Sequence, residues 1–255
     1  MSRATTYTVE ASAAWITLAR PERRNALSDE LVHALREDVE RALLDPQVRV
    51  LVLTGAGAAF CAGADLAKPA FKATPDELTP FSQLLLDLWT SPKVVMAAVN
   101  GAAYGGGLGL VAAADIAIAA PEARFAFSEV RLGVAPAIIS VLCLRKMAPC
   151  DASYLFLTGE RFGPETARAS GLLQAIAGEN DLYGAVTQEL ARLRLGAPGA
   201  IAAAKSLLRD ADKGDVRSEL LRAQMVSAKL FASAEAAEGA SAFRERRAPS
   251  WAQDA

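Results

Sequence analysis

One histidine and three cysteines are all that 255 residues carry of two chemically versatile side chains. His33 falls in a predicted surface helix, where a lone imidazole is solvated, so neither a serine–histidine–aspartate nor a cysteine–histidine centre is expected. Cys61, Cys143 and Cys150 are odd in number and match no zinc spacing, so they read as reduced thiols of a cytosolic protein. Aromatic residues reach only 6%, against abundant alanine, so many helix contacts should be close and small-sided. No excess of one charge is present. A formal net charge of −2 argues against general nucleic-acid binding, although a local basic patch for a phosphorylated cofactor stays open. No uncharged run of about 18 apolar residues occurs, so no membrane-spanning helix is expected. The opening Met1-Ser2-Arg3-Ala4-Thr5-Thr6 lacks a long apolar core, which points away from a secretory signal and towards a cytoplasmic location.

The chain is rich instead in apolar patterning. Hydrophobic residues make up 52% of it, enough for a large core. Two short strands are read at Thr6–Glu10 and Ala14–Leu18. Ser28, followed by Asp29 and Glu30, is a helix N-cap, and Leu31, Leu35, Val39 and Leu43 recur at helical spacing over 29–44. Val48–Thr54 is a strand of the buried type. A helix is expected over Asp76–Thr90, and Val94–Val99 is a second buried strand. Strand and helix alternate through this region, which predicts a parallel sheet with crossover helices. After Pro136 the pattern is mostly helical, at 137–147, 151–157, 164–169, 181–195, 198–210, 217–232 and 234–246. A short extended piece is read at 171–176. A boundary near 195 divides an α/β core, 1–195, from a helical segment, 196–255, expected to pack on the core or on a neighbouring subunit.

The centre of the pattern is Val94 to Pro136. A strand runs into Asn100-Gly101-Ala102-Ala103-Tyr104, then into Gly105, Gly106 and Gly107, and a small-residue helix comes next. Glycines at a strand-to-helix junction let a ligand approach the backbone. N–H groups at a helix start lack intrahelical partners and favour an anion, or an oxygen that becomes anionic in a reaction. Close packing of helix on strand is the other reading of the same glycines. Gly55-Ala56-Gly57-Ala58-Ala59-Phe60 half-matches a dinucleotide fingerprint. Phe60 replaces the third glycine and the residues after it are loop-like, so a nicotinamide dehydrogenase is disfavoured.

Several segments together resemble the crotonase (enoyl-CoA hydratase/isomerase) superfamily. Val50–Gly55 running into Ala59-Phe60-Cys61-Ala62-Gly63-Ala64-Asp65-Leu66 is similar to its first signature. Ala97–Gly107, with Asp115 eight residues on, is similar to its second. Arg20-Pro21 with Asn25-Ala26-Leu27, Leu157-Thr158-Gly159, Ala169-Ser170-Gly171-Leu172, and Glu238-Gly239 with Phe243 and Arg246-Arg247 complete the match over nearly the whole chain. The resemblance implies an α/β crotonase (ClpP/crotonase-like) core of repeated ββα units with a C-terminal helical segment. It implies an acyl-CoA thioester as substrate, no cofactor beyond that CoA, and a homotrimer or a hexamer built as a dimer of trimers. Carried over by position, the thioester oxygen is held by the backbone N–H groups of Ala64 and Gly106. CoA contacts fall on Ala26, Ala62, Asp65 and Leu66. Phe243 and Arg246 match positions that meet the CoA of a neighbouring subunit. Arg23, Arg24 and Lys68 are either phosphate contacts or solvated surface.

The carboxylates decide the chemistry. Adding water to an enoyl thioester needs activation of water at Cβ and a proton at Cα, and hydratases of this family use two glutamates for it. The second matches Glu129. The first falls on Gly109, where no carboxylate exists, and the glycine run usual after Pro136 is replaced by Ala137-Ile138-Ile139-Ser140. Enoyl-CoA hydratase is the leading expectation, that is, a carbon–oxygen lyase of fatty acid metabolism. A 3-enoyl/2-enoyl-CoA isomerase working through one glutamate is the alternative. A non-catalytic acyl-CoA-binding protein is the alternative of another class.

Overall fold

Strands that are apolar on both faces need cover on both sides. The computed structural model, which describes residues 3–65, 74–210 and 215–247, meets that requirement with a sheet enclosed between two clusters of side chains. Strands β1 (Thr5–Glu10) and β2 (Ala13–Leu18) form an antiparallel hairpin. Helix α1 (Asp29–Leu44) comes next, its first turn capped by the Ser28 hydroxyl, which accepts from the Leu31 N–H at 3.3 Å. Then three strand–strand–helix turns succeed one another. The first is β3 (Val50–Gly55), β4 (Ala59–Cys61) and α2 (Pro80–Thr90). The second is β5 (Val94–Val99), β6 (Ala102–Tyr104) and α3 (Gly106–Ala113), and the third is β7 (Ile116–Ala119), β8 (Phe125–Ala126) and α4 (Ala137–Lys146).

The first strand of each turn enters one sheet and the second strand another. Helix α5 (Pro149–Thr158), strand β9 (Arg161–Phe162), helix α6 (Pro164–Ala169) and strand β10 (Ala175–Ile176) come next. The larger sheet then runs β1-β2-β3-β5-β7-β10 and the smaller β4-β6-β8-β9. Within the large sheet Leu51, Leu53, Val95, Ala97 and Val99 face α1, α2 and α3. Their alternates Val50, Val52, Val94, Met96 and Ala98 face Val186 and Leu190 of α7 (Leu182–Arg194). This period-two division is why the runs read as continuously apolar.

Three differences from the expected elements have local causes. The second helix begins at Pro80 rather than near 76, because proline suits the first helical position and the Thr79 side chain caps it. Strand β3 opens at Val50, not Val48. Of residues 171–176 only Ala175 and Ile176 pair, with Ile118 and Ala119. The remaining helices are α8 (Pro198–Asp210), α9 (Val216–Phe231) and α10 (Ala234–Glu245). Each is fastened to the core. Lys205 and Arg209 of α8 reach Asp115 at the end of α3, and Glu219 of α9 pairs with Arg145 of α4 at 2.7 Å. A side chain on Gly239 of α10 would collide with the Leu132 carbonyl, so α10 lies directly on the 128–132 turn.

Asn25 ties the 20–27 loop to the β3–β4 corner. It is fully buried in a left-handed conformation, φ 55°. Its amide donates to the Ala56 and Ala59 carbonyls at 3.0 and 2.8 Å, and its oxygen accepts from the Arg20 N–H at 2.9 Å. Replacing Asn25 by alanine removes all three bonds and strains the backbone. Denaturant unfolding should register a loss of about 3 kcal/mol; a loss below about 1 kcal/mol would show the tie to be dispensable.

Candidate active site

Two backbone segments converge where the two sheets meet. Residues 24–27 run alongside 62–65: the Ala62 N–H donates to Arg24, the Leu27 N–H to Gly63 and the Asp65 N–H to Leu27, at 3.0, 2.7 and 3.3 Å. Leu27 and Ala64 thus form a parallel bridge in which the Gly63 carbonyl and Asp65 N–H are spent on Leu27. The parallel bridge leaves the Ala64 N–H pointing away from Leu27. A β-carbon on Gly63 would lie 3.6 Å from the Gly106 nitrogen, which sets the two segments side by side.

Gly105 precedes α3 with φ 49° and ψ −117°, a backbone only glycine adopts without strain, and its carbonyl accepts from Leu108 and Gly109. The N–H of Gly106, at the first helical position, has no intrahelical acceptor. Neither it nor the Ala64 N–H donates to another group among the described residues. Two unspent donors, one at a helix N-terminus, share one edge of a cavity of about 160 Å³.

The same cavity carries one carboxylate. Phe127 leads into a single 3-10 turn, Ser128–Leu132, stopped by Gly133, whose N–H bonds the Glu129 and Val130 carbonyls. The Val134 N–H also donates to the Glu129 carbonyl, at 3.1 Å. Arg131 Nε bonds the Thr158 carbonyl at 3.0 Å, so the turn is braced by α5 as well as by α10. The Glu129 side chain points into the cavity, with Oε1 3.0 Å from where a β-carbon on Gly105 would stand and Oε2 buried without a partner. Its walls are Leu27, Val32, Phe81, Leu132, Val134, Ile138, Ile139 and Phe231. Burial in this apolar setting pushes the Glu129 carboxyl up to about 7, offset only by a backbone hydrogen bond.

Of the residues singled out from the sequence, Glu129, Ala64, Gly106 and Ala62 line this one cavity. Ala26 and Asp65 stand beside it on the paired loops. Leu66 and Lys68 lie outside the described residues. Phe243 and Arg246, at the end of α10, are exposed and do not line the cavity of their own chain. Arg23 and Arg24 are exposed, and His33 pairs with Glu37 on the surface of α1 at 3.2 Å. Sequence reasoning missed Phe81, Ser227 and Phe231, which complete the wall from α2 and α9. Leu220, Gln224, Ser227 and Phe231 recur at helical spacing in α9, a stripe whose polar members were the available signal.

Gly109, where a second carboxylate would be looked for, faces α4. A β-carbon there would stand 2.6 Å from Ile139 Cγ2 and 3.5 Å from Phe81 Cζ. The room a longer side chain would use is therefore taken by Ile139.

A carboxyl near 7 in the folded chain and near 4.5 in the unfolded one binds its proton more tightly when folded. The stabilisation is complete below about pH 4.5 and is lost as pH rises through 7, by on the order of 3 kcal/mol. Glu129→Gln abolishes that dependence. Relative to the parent, the variant should gain this much stability between pH 4.5 and 8.5 in denaturant titrations, and equal pH profiles would show that Glu129 is not desolvated.

The family model described as enoyl-CoA hydratase/isomerase matches residues 8–254. The enoyl-CoA hydratase ACTT6 of Alternaria alternata is 33% identical over 246 residues, covering 95% of this chain and 83% of that protein. The 2,3-dehydroadipyl-CoA hydratase of Escherichia coli K12 is 33% identical, with 92% of each chain covered. Among solved structures, an enoyl-CoA hydratase from Mycobacterium avium superposes with a TM-score of 0.86 at 39% identity, over 98% of this chain and all of that one. With its fold of paired strands and helices and a match over nearly its whole length, the chain belongs to the enoyl-CoA hydratase/isomerase family of the crotonase superfamily.

Proposed function

We propose that the chain is an enoyl-CoA hydratase in which the Ala64 and Gly106 N–H groups hold the thioester oxygen and Glu129 moves the proton. The observation that carries this reading is the buried Glu129 carboxyl sharing one largely apolar cavity with two unspent backbone donors. Two such donors stabilise an oxygen whose charge grows as the thioester becomes an enolate, by a few kcal/mol each. Glu129 as carboxylate takes a proton from water while the hydroxide adds at Cβ. The resulting carboxylic acid returns that proton to Cα, and the enolate collapses to the thioester with one water gained. A carboxyl near 7 exchanges protons in both directions at neutral pH.

CoA contacts through Ala26, Ala62, Asp65 and Leu66, and through Phe243 and Arg246 of a neighbouring subunit, belong to the same proposal. So do the trimer or hexamer and the cytoplasmic location. Exposed apolar side chains such as Leu157, Leu207 and Leu208 are surface that subunit contact would cover. No helix among the described residues is long and apolar enough to cross a membrane. The reaction needs no cofactor beyond the CoA of the substrate.

Ile139 in the room next to Gly109 favours a second reading, a double-bond isomerase. One carboxylate suffices to carry a proton between Cα and Cγ of a 3-enoyl thioester. A panel of 2-enoyl- and 3-enoyl-CoA thioesters separates the two. Water gain on 2-enoyl-CoA, read by product mass, supports hydration, whereas 3-enoyl to 2-enoyl conversion without water gain sinks it. Glu129→Gln should lower kcat by about a thousandfold with CoA binding retained. In the parent, kcat/KM should rise with pH through about 7 as Glu129 becomes the base. A flat profile between pH 5 and 9 would assign the proton transfer elsewhere.

A further inference from the structure

Helix α9 supplies one part of the cavity lining and the start of α2 supplies another. A single side chain joins them. Gln224 is fully buried, between Leu220 and Ser227 on the inner stripe of α9. Its oxygen accepts from the Thr79 N–H at 2.6 Å, and its amide nitrogen donates to the Thr74 carbonyl at 3.0 Å and to the Glu77 carbonyl. Both amide hydrogens and the oxygen are thereby used, on three main-chain groups of the 74–79 segment. Thr79, in turn, caps α2, and Thr79, Pro80 and Phe81 line the cavity. From the other side Ser227 and Phe231, three and seven residues after Gln224, line it as well. Phe81 reaches across to α3, its Cζ 3.4 Å from where a β-carbon on Gly106 would stand. The placement of Phe81 relative to Phe231 in the cavity lining thus depends on how α9 grips the 74–79 segment.

We propose that Gln224 is a positioning residue that fixes the width of the acyl cavity and with it the choice of acyl chain. The proposal rests on the reading that this cavity takes the acyl group of a CoA thioester. A fully paired amide is a better spacer than an apolar contact, because any slip leaves the buried Gln224 amide and the buried Thr79 N–H unpaired. Fixed width turns differences in chain size into differences in transition-state binding, and loss of the grip blunts that discrimination.

The test uses Gln224→Met, which keeps length and volume without hydrogen bonds, and Gln224→Glu, which keeps the bond from Thr79 and loses the two to the carbonyls. Turnover of straight and branched enoyl-CoA thioesters of four to ten carbons is measured alongside thermal stability. The spread of kcat/KM between the best and worst substrate should shrink about tenfold in Gln224→Met, mainly through KM, and by an intermediate factor in Gln224→Glu. A lowered melting temperature with the substrate profile unchanged would make Gln224 a purely structural residue and overturn the proposal. Should neither variant fold, hydrogen–deuterium exchange of the parent with butyryl-CoA and decanoyl-CoA decides instead. Amides of 79–81 and 224–231 should gain protection together and differ between the two ligands, and protection confined to one segment overturns the proposal. Failure of both saturated thioesters to bind would sink the acyl-CoA reading itself, an outcome distinct from binding without discrimination.

Discussion

A carboxylate buried without a cation is the constraint on which the rest of this structure depends. The Glu129 Oε2 has no hydrogen-bond partner, and its surroundings are aliphatic and aromatic. Such a group is held in place only if its backbone is over-determined, since burial costs the side chain more than its one backbone hydrogen bond returns. The 128–132 turn is accordingly fastened from several directions: by Gly133 and Val134 at its end, by α5 through Arg131 and the Thr158 carbonyl, and by α10 through Gly239. The turn is short, yet two helices later in the chain, α5 and α10, close on it. Stability given up at the carboxyl is recovered in the packing around it.

The donors in the same cavity obey a different logic. They are main-chain atoms, so no side-chain identity makes them; only the path of the chain does. The parallel bridge between Leu27 and Ala64 and the glycine turn before α3 are what orient them. Asn25 transmits the position of the β3–β4 corner to that bridge through its contacts with Ala56 and Ala59. The site is therefore a junction of two sheets and a loop rather than a cluster of reactive residues.

This difference explains which parts are legible in the sequence. Helix 29–44 is legible because Leu31, Leu35, Val39 and Leu43 repeat within one element and Ser28 marks its start. The buried strands and the glycine turn are legible for the same reason. Ala64 is not: an alanine in a loop carries no chemical signal, and only resemblance to a family points to it. The strands of the small sheet, two or three residues each, are too short for any periodicity to show. Least legible is the role of α9. Gln224 and Thr79 are 145 residues apart, and nothing local in either segment announces their contact.

Ile139 gives the position of Gly109 a history as well as a shape. A glutamate at 109 would meet the Ile139 side chain, so it cannot arrive first without forcing a packed core apart. Trimming Ile139 first would leave a void beside α3, costing about 1 kcal/mol for a valine and roughly 2 kcal/mol or more for an alanine. Changing either position alone therefore disturbs the packing between α3 and α4. A larger side chain at 109 and the full isoleucine at 139 therefore exclude each other, so the two positions can change only as a pair.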